Sequence, residues 1–156
     1  MTNPVPVDSR LNSSLGNRVN NNSLDSYLTV PYIDGGRDFD GFDCWGLVRH
    51  ILHFNLHQPL LDSYGFISPD DKINLTAAYQ KVAPLFVQCQ PQSGCIVACF
   101  KRGLLLHVGV VVEANGLQVY HTGRKHGPLK TKLANFERLF FKVKYYAYHP
   151  GLSQQT

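Results

Sequence analysis

The sequence predicts an α+β domain, with N-terminal helices packed on a small antiparallel β-sheet. Two observations carry this expectation. Apolar residues recur at helical spacing in the first half, and beyond Pro84 the pattern changes to short runs rich in Val, Leu, Cys, Phe and Tyr between turn residues. Helices first and strands afterwards favour segregated elements over alternating βαβ units. With 156 residues, 44% of them hydrophobic, the chain has about one domain's length and enough apolar material for a single core.

Residues 1 to 24, MTNPVPVDSRLNSSLGNRVNNNSL, hold too few large apolar side chains to offset the entropy of ordering, and a flexible N-terminal arm is expected there. The domain itself is expected over residues 25 to 150, with 151 to 156 as a short tail. From Leu28 to Gly41, Pro31, Gly35, Gly36 and Gly41 give loop chemistry. Leu47, Val48, Ile51, Leu52 and Phe54 then repeat at helical spacing, which predicts a helix from Cys44 to Leu56 with Cys44 along its apolar stripe. His50, His53 and His57 fall on the other face and read as a solvated surface rather than as metal ligands. A second helix is expected from Ser68 or Asp70 to Val82, stopped by Pro84. Strands follow at Cys95 to Phe100, Leu104 to Glu113, Leu117 to Thr122 and Phe140 to Tyr148.

Charge and composition narrow the function classes. A formal charge of +4 is mild, and no basic run interleaves with stacking aromatics, so nucleic acid is not the expected partner. No apolar stretch is long enough to span a bilayer, and no basic segment followed by an apolar one marks a secretory signal. Synthesis in the cytoplasm is expected, with delivery by another agent if the protein acts outside. Four cysteines suggest reduced thiols rather than a disulfide framework. Cys95 and Cys99 would lie about 13 Å apart on one strand, too far for ligands that must each stand about 2.3 Å from a zinc ion. Cys89, Cys95 and Cys99 therefore read as packing thiols, and neither a metal nor a cofactor is expected.

Cys44 differs from them in position. A helix N-terminus offers unpaired N–H groups and the positive end of the macrodipole, which favour a thiolate, and Asp43 is placed to cap that helix. The run LLLHVGVVVE puts His107 in an apolar strand, on one face with Leu105, Gly109 and Val111 by alternation. Gly109 is expected to leave a hole beside the imidazole. The turn that follows decides whether a second histidine joins it. A two-residue Asn115-Gly116 turn would pair Val110 with His121 and send His121 to the opposite face. A three-residue loop of Ala114, Asn115 and Gly116 pairs Glu113 with Leu117 and Gly109 with His121, and brings both imidazoles to one face. The second register is the expected one. It yields Cys44 as nucleophile, His107 as base, and His121 as the residue orienting His107.

These residues resemble the NlpC family of papain-like cell-wall peptidases. The family's Tyr, Gly-Gly and Gly-Phe-Asp-Cys pattern reads here as Tyr32, Gly35-Gly36 and Gly41-Phe42-Asp43-Cys44, and its His-Val-Gly strand and following histidine read as His107-Val108-Gly109 and His121. The resemblance runs from about Ser26 to the last strand. It implies a papain-like fold and a thiol hydrolase that cuts peptidoglycan stem peptides, often at the γ-D-glutamyl to diamino acid bond. Tyr32, Asp43, Trp45 and Gly109 are the expected substrate-binding residues. Trp45 stands where a serine is common, and Asp34 where an aromatic is common. The Asp-Cys-Trp-Gly form is similar to the branch found with phage tail-tip proteins, which implies tail-tip partners and association with a virion or prophage particle acting at the cell wall. Two other readings keep the same residues: a cysteine acyltransferase or transglutaminase-like effector, and a non-catalytic tail-tip structural or wall-binding module.

Overall fold

A computed structural model describes residues 24 to 140 and 142 to 149. The expected N-terminal arm, save for Leu24, and the expected tail lie outside them. Leu24, the last residue assigned to the arm, is buried with Tyr27 and Val30 in the core. After a 3₁₀ turn at Tyr27–Thr29 come a short hairpin, β1 (Arg37–Asp38) and β2 (Gly41–Phe42), and helix α1 (Cys44–His50), which runs on as a π-helical turn, Ile51–Asn55. Helix α2 (Lys72–Val82) and a 3₁₀ turn at Ala83–Leu85 precede β3 (Phe86–Cys89), β4 (Ile96–Lys101), β5 (Leu104–Glu113), β6 (Leu117–Gly123) and β7 (Gly127–Lys132). Helix α3 (Leu133–Leu139) and β8 (Lys142–Tyr148) complete the described chain. The six long strands form an antiparallel sheet of order β3-β8-β4-β5-β6-β7.

Alternation along the strands gives the sheet two apolar faces. On one, Ile96, Ala98, Val108, Val110, Val112 and Tyr120 pack against Leu47, Val48, Ile51 and Leu52 of the α1 segment. On the other, Cys95, Val97, Cys99, Val111 and Val119 pack against Phe136 of α3 and Tyr145. Burying apolar surface on both sides of β4 and β5 explains why these strands read as nearly continuous apolar runs. None of the helices among the described residues is long and apolar enough to cross a membrane.

Several local expectations are corrected. Phe54 stays exposed, because the π-helical turn rotates it off the buried stripe. The histidine face is not uniformly solvated: the Tyr27 hydroxyl meets His50 Nδ1 at 2.6 Å, and the His50 ring packs among Phe39, Phe42 and Phe54. Strands β3 and β7 and helix α3 lie in stretches where no element is expected from sequence. β7 is short, polar and at the sheet edge, which leaves it no apolar alternation to read.

Candidate active site

Helix α1 begins at Cys44 because Asp43 caps it. One Asp43 carboxylate oxygen accepts the Gly46 N–H at 2.8 Å and the Arg37 guanidinium at 2.5 Å, and the other accepts the Gly35 N–H at 3.0 Å. These bonds use the carboxylate to tie the glycine loop to the helix start, so Asp43 acts as a buried brace. Asp43, expected among the substrate contacts, borders the cleft with its carboxylate engaged in these bonds. Gly46 is equally constrained, since a Cβ there would stand 2.0 Å from the Gly36 carbonyl oxygen.

The hairpin forms in the expected register. Glu113 pairs with Leu117 and Val110 with Tyr120 around the three-residue loop, and Asn115 and Gly116 both adopt left-handed backbone, at φ 56° and 95°. The regular β5–β6 ladder stops at Val110 and Tyr120. Beyond that point His107 Nε2 meets His121 Nδ1 at 3.0 Å, and His121 Nε2 meets Thr131 Oγ1 at 2.9 Å. The His107 ring stacks on Phe140 with centroids 5.3 Å apart, and His121 lies edge-on to Phe136 at 4.8 Å. Thr131 and Phe136 belong to elements not foreseen from sequence, and Phe140, expected to open the last strand, instead directly follows α3.

Two expectations about this hairpin are corrected. Leu105 does not share the His107 face, because β4 pairs Cys99 with His107 but Phe100 with Leu105, leaving Leu106 as an extra residue in a bulge. The bulge turns Leu105 toward the α1 core, and His107 keeps the face of Val111. Gly109 leaves no hole for substrate. A Cβ built on it would come within 2.6 Å of Val119 Cγ1 and 3.3 Å of His121 Cβ, so its missing side chain lets β6 pack closely. Gly109→Ala is expected to destabilise the protein by about 1–3 kcal/mol, measured by urea denaturation; unchanged stability would mean Val119 yields freely.

Cys44, His107, Tyr32, Trp45 and Asp43 all line one cleft of about 250 Å³. The body of α1 packs on the sheet face opposite the two imidazoles, but its first residue reaches β5 beyond the end of the β5–β6 ladder. There the N–H groups of Val108 and Trp45 point at the Cys44 sulfur. Val108 directly follows His107, so the thiol meets β5 one residue along the strand from the imidazole. Among the described hydrogen bonds none joins them directly. Trp45 Nε1–H donates to the Asp62 carbonyl at 2.9 Å, which holds the indole along the rim. Tyr32 is hydrogen-bonded to Asp34, and Arg124 bridges Asp34 and Asp70 with bonds of 2.8 to 3.2 Å.

The resting thiol is not the acidic one expected. Burial first, and the neighbouring Asp43 carboxylate second, push its pKa up to about 11 against the opposing pull of the Val108 and Trp45 N–H groups and Lys72. Burial pushes His107 down to about 3 and His121 to about 4, helped in each case by neighbouring positive charge. Both partners are therefore neutral near pH 7. Cys95 is also held high, at about 11, mainly by burial, and with Cys99 it is fully buried.

Among solved structures, the NlpC/p60 domain of the peptidoglycan hydrolase SagA superposes on this chain with a TM-score of 0.54 at 17% sequence identity, over 83% of this chain and 96% of that one. The chain has an NlpC/p60-type papain-like α+β fold. The sequence matches no family model and no curated protein.

Proposed function

We propose that the protein is a cysteine peptidase that hydrolyses peptidoglycan stem peptides at a γ-D-glutamyl to diamino acid type bond. The observation that carries the reading is a helix-terminal Cys44 opening onto the same cleft as His107, which His121 and Thr131 back by hydrogen bonds, on a fold shared with a peptidoglycan hydrolase domain. Cys44 is the nucleophile, His107 the base and later the acid, and His121 the positioning residue. His107 Nε2 is engaged by His121, so Nδ1 is the nitrogen left for the thiol proton. That role requires His107 protonated on Nε2, His121 accepting at Nδ1, and His121 Nε2–H donating to the Thr131 hydroxyl.

In the acylation step the Cys44 proton passes to His107 Nδ1 as sulfur bonds to the scissile carbonyl carbon. The C–N bond then breaks, and His107 returns the proton to the leaving amine. Water next attacks the thioester, giving its proton to His107, and the C–S bond breaks to release a carboxylic acid and restore the thiol. The Cys44 backbone N–H is assigned to the developing oxyanion. Because both groups start neutral, the proton moves with substrate in place instead of from a preformed ion pair. Tyr32 and Trp45 contact the substrate at the rim. The Asp43-Cys44-Trp45-Gly46 form supports delivery on a phage or prophage tail tip, with tail-tip proteins as partners.

Incubation with purified sacculi and mass analysis of the soluble products tests the reaction. Free stem fragments are expected, and amide conjugates with an added amine would instead mean acyl transfer. His121→Ala is expected to lower kcat by about 10²-fold through misplacement of His107 by about 1 Å, with KM little changed. Wild-type kcat in that variant would remove His121 from the mechanism.

A further inference from the structure

Three cations line the cleft beside Cys44: Arg37, Lys72 and Arg124. Two are committed. Arg37 is held by the Asp43 carboxylate and by the carbonyls of Gly36 and Ser63, and Arg124 by both Asp34 and Asp70. Lys72 differs. Among the described residues its ammonium donates only to the Leu106 carbonyl, at 3.4 Å, long for a hydrogen bond from a charged donor. Among the described residues no carboxylate forms an ion pair with it. The nearest acids in sequence are occupied, Asp71 by the backbone and side chain of Asn74 and Asp70 by Arg124.

The position of Lys72 adds to this. It is the first residue of α2, at the positive end of the helix dipole, where a cation works against helix stability. Its contact, Leu106, is the bulge residue immediately before His107. The same positive charge lowers the pKa of both Cys44 and His107, so it acts at the reacting groups themselves. A flexible four-carbon stem lets the ammonium leave the Leu106 carbonyl for a better acceptor.

We propose that Lys72 binds a carboxylate of the substrate beside the bond that Cys44 attacks, so that the cleft selects acyl donors carrying a free carboxylate near the scissile carbonyl. This deepens the hydrolase reading and rests on it for the identity of the substrate. In a γ-D-glutamyl peptide the group is the glutamyl α-carboxylate, and its amidation removes the charge-assisted bond.

The first test needs no substrate. The full-length protein is treated at one pH with iodoacetate, an anion, or iodoacetamide, its neutral counterpart, and alkylation of each cysteine is followed by mass spectrometry. Cys44 is expected to favour iodoacetate relative to half-buried Cys89. That preference is expected to fall about fivefold in Lys72→Met and persist in Lys72→Arg. An unchanged preference in Lys72→Met overturns the proposal, whatever the protein hydrolyses. In the second test, Lys72→Met is expected to raise KM about 10- to 100-fold for a γ-D-glutamyl peptide with a free α-carboxylate, leaving KM for the α-carboxamide form unchanged. An equal rise for both peptides also overturns it. Loss of the reagent preference in Lys72→Met, with neither peptide cut by the wild type, would support the anion site and end the stem-peptide reading.

Discussion

Cys44→Ala is expected to bring release of stem fragments down to background, a loss on the order of 10⁴-fold or more in kcat/KM. The magnitude follows from the absence of any substitute. Cys95 and Cys99 are fully buried in the core under α3, and Cys89 pairs into β3, so no other thiol lines the cleft. The fold is expected to survive, because one half-buried sulfur atom is removed and the cap on α1 comes from Asp43, which stays. Stability within about 1 kcal/mol of wild type, read from a thermal melt, separates chemical loss from unfolding. Measurable turnover by a folded Cys44→Ala protein would end the thiol mechanism. In the free wild-type protein, alkylation of Cys44 should climb with pH through neutrality toward 11, since burial holds the thiol protonated.

His107→Ala is expected to cost about 10²–10⁴-fold in kcat, the range for removal of a general base. The Val108 and Trp45 N–H groups still polarise the sulfur in this variant, but nothing accepts its proton at neutral pH. The same histidine makes a second prediction, with its sign fixed by the depressed pKa. In the unfolded chain His107 takes up a proton near pH 6.5, whereas in the folded protein it stays neutral to about 3. Its contribution to stability is complete above pH 6.5 and is lost as the pH falls toward 3. His121, held to about 4, acts in the same direction. Urea denaturation at pH 7 and pH 4.5 should show a smaller acid-induced loss in His107→Ala than in wild type. An equal loss would mean the folded protein also protonates this ring.

Much of the site is legible because it depends on short-range geometry. The start of α1 at Cys44 follows from a capping aspartate before an apolar stripe. The facing of His107 and His121 follows from counting a three-residue loop and applying a period of two. The same counting misplaced Leu105, because the bulge at Leu106 arises between β4 and β5 and leaves no mark in the local pattern. Thr131 and Phe136 were missed for a related reason. Each lies in a short element whose order comes from packing against a sheet assembled elsewhere in the chain.

By itself the sequence determined the α+β class, the place of Cys44 at a helix start and the hairpin register, since periodicity, capping and turn length act over a few residues. Tertiary structure alone decided the protonation states of thiol and imidazole, the support of His121 by Thr131, and the commitment of Arg124 to Asp34 across ninety positions. Desolvation and charge pairing depend on which distant segments close over a group, and no local pattern encodes that.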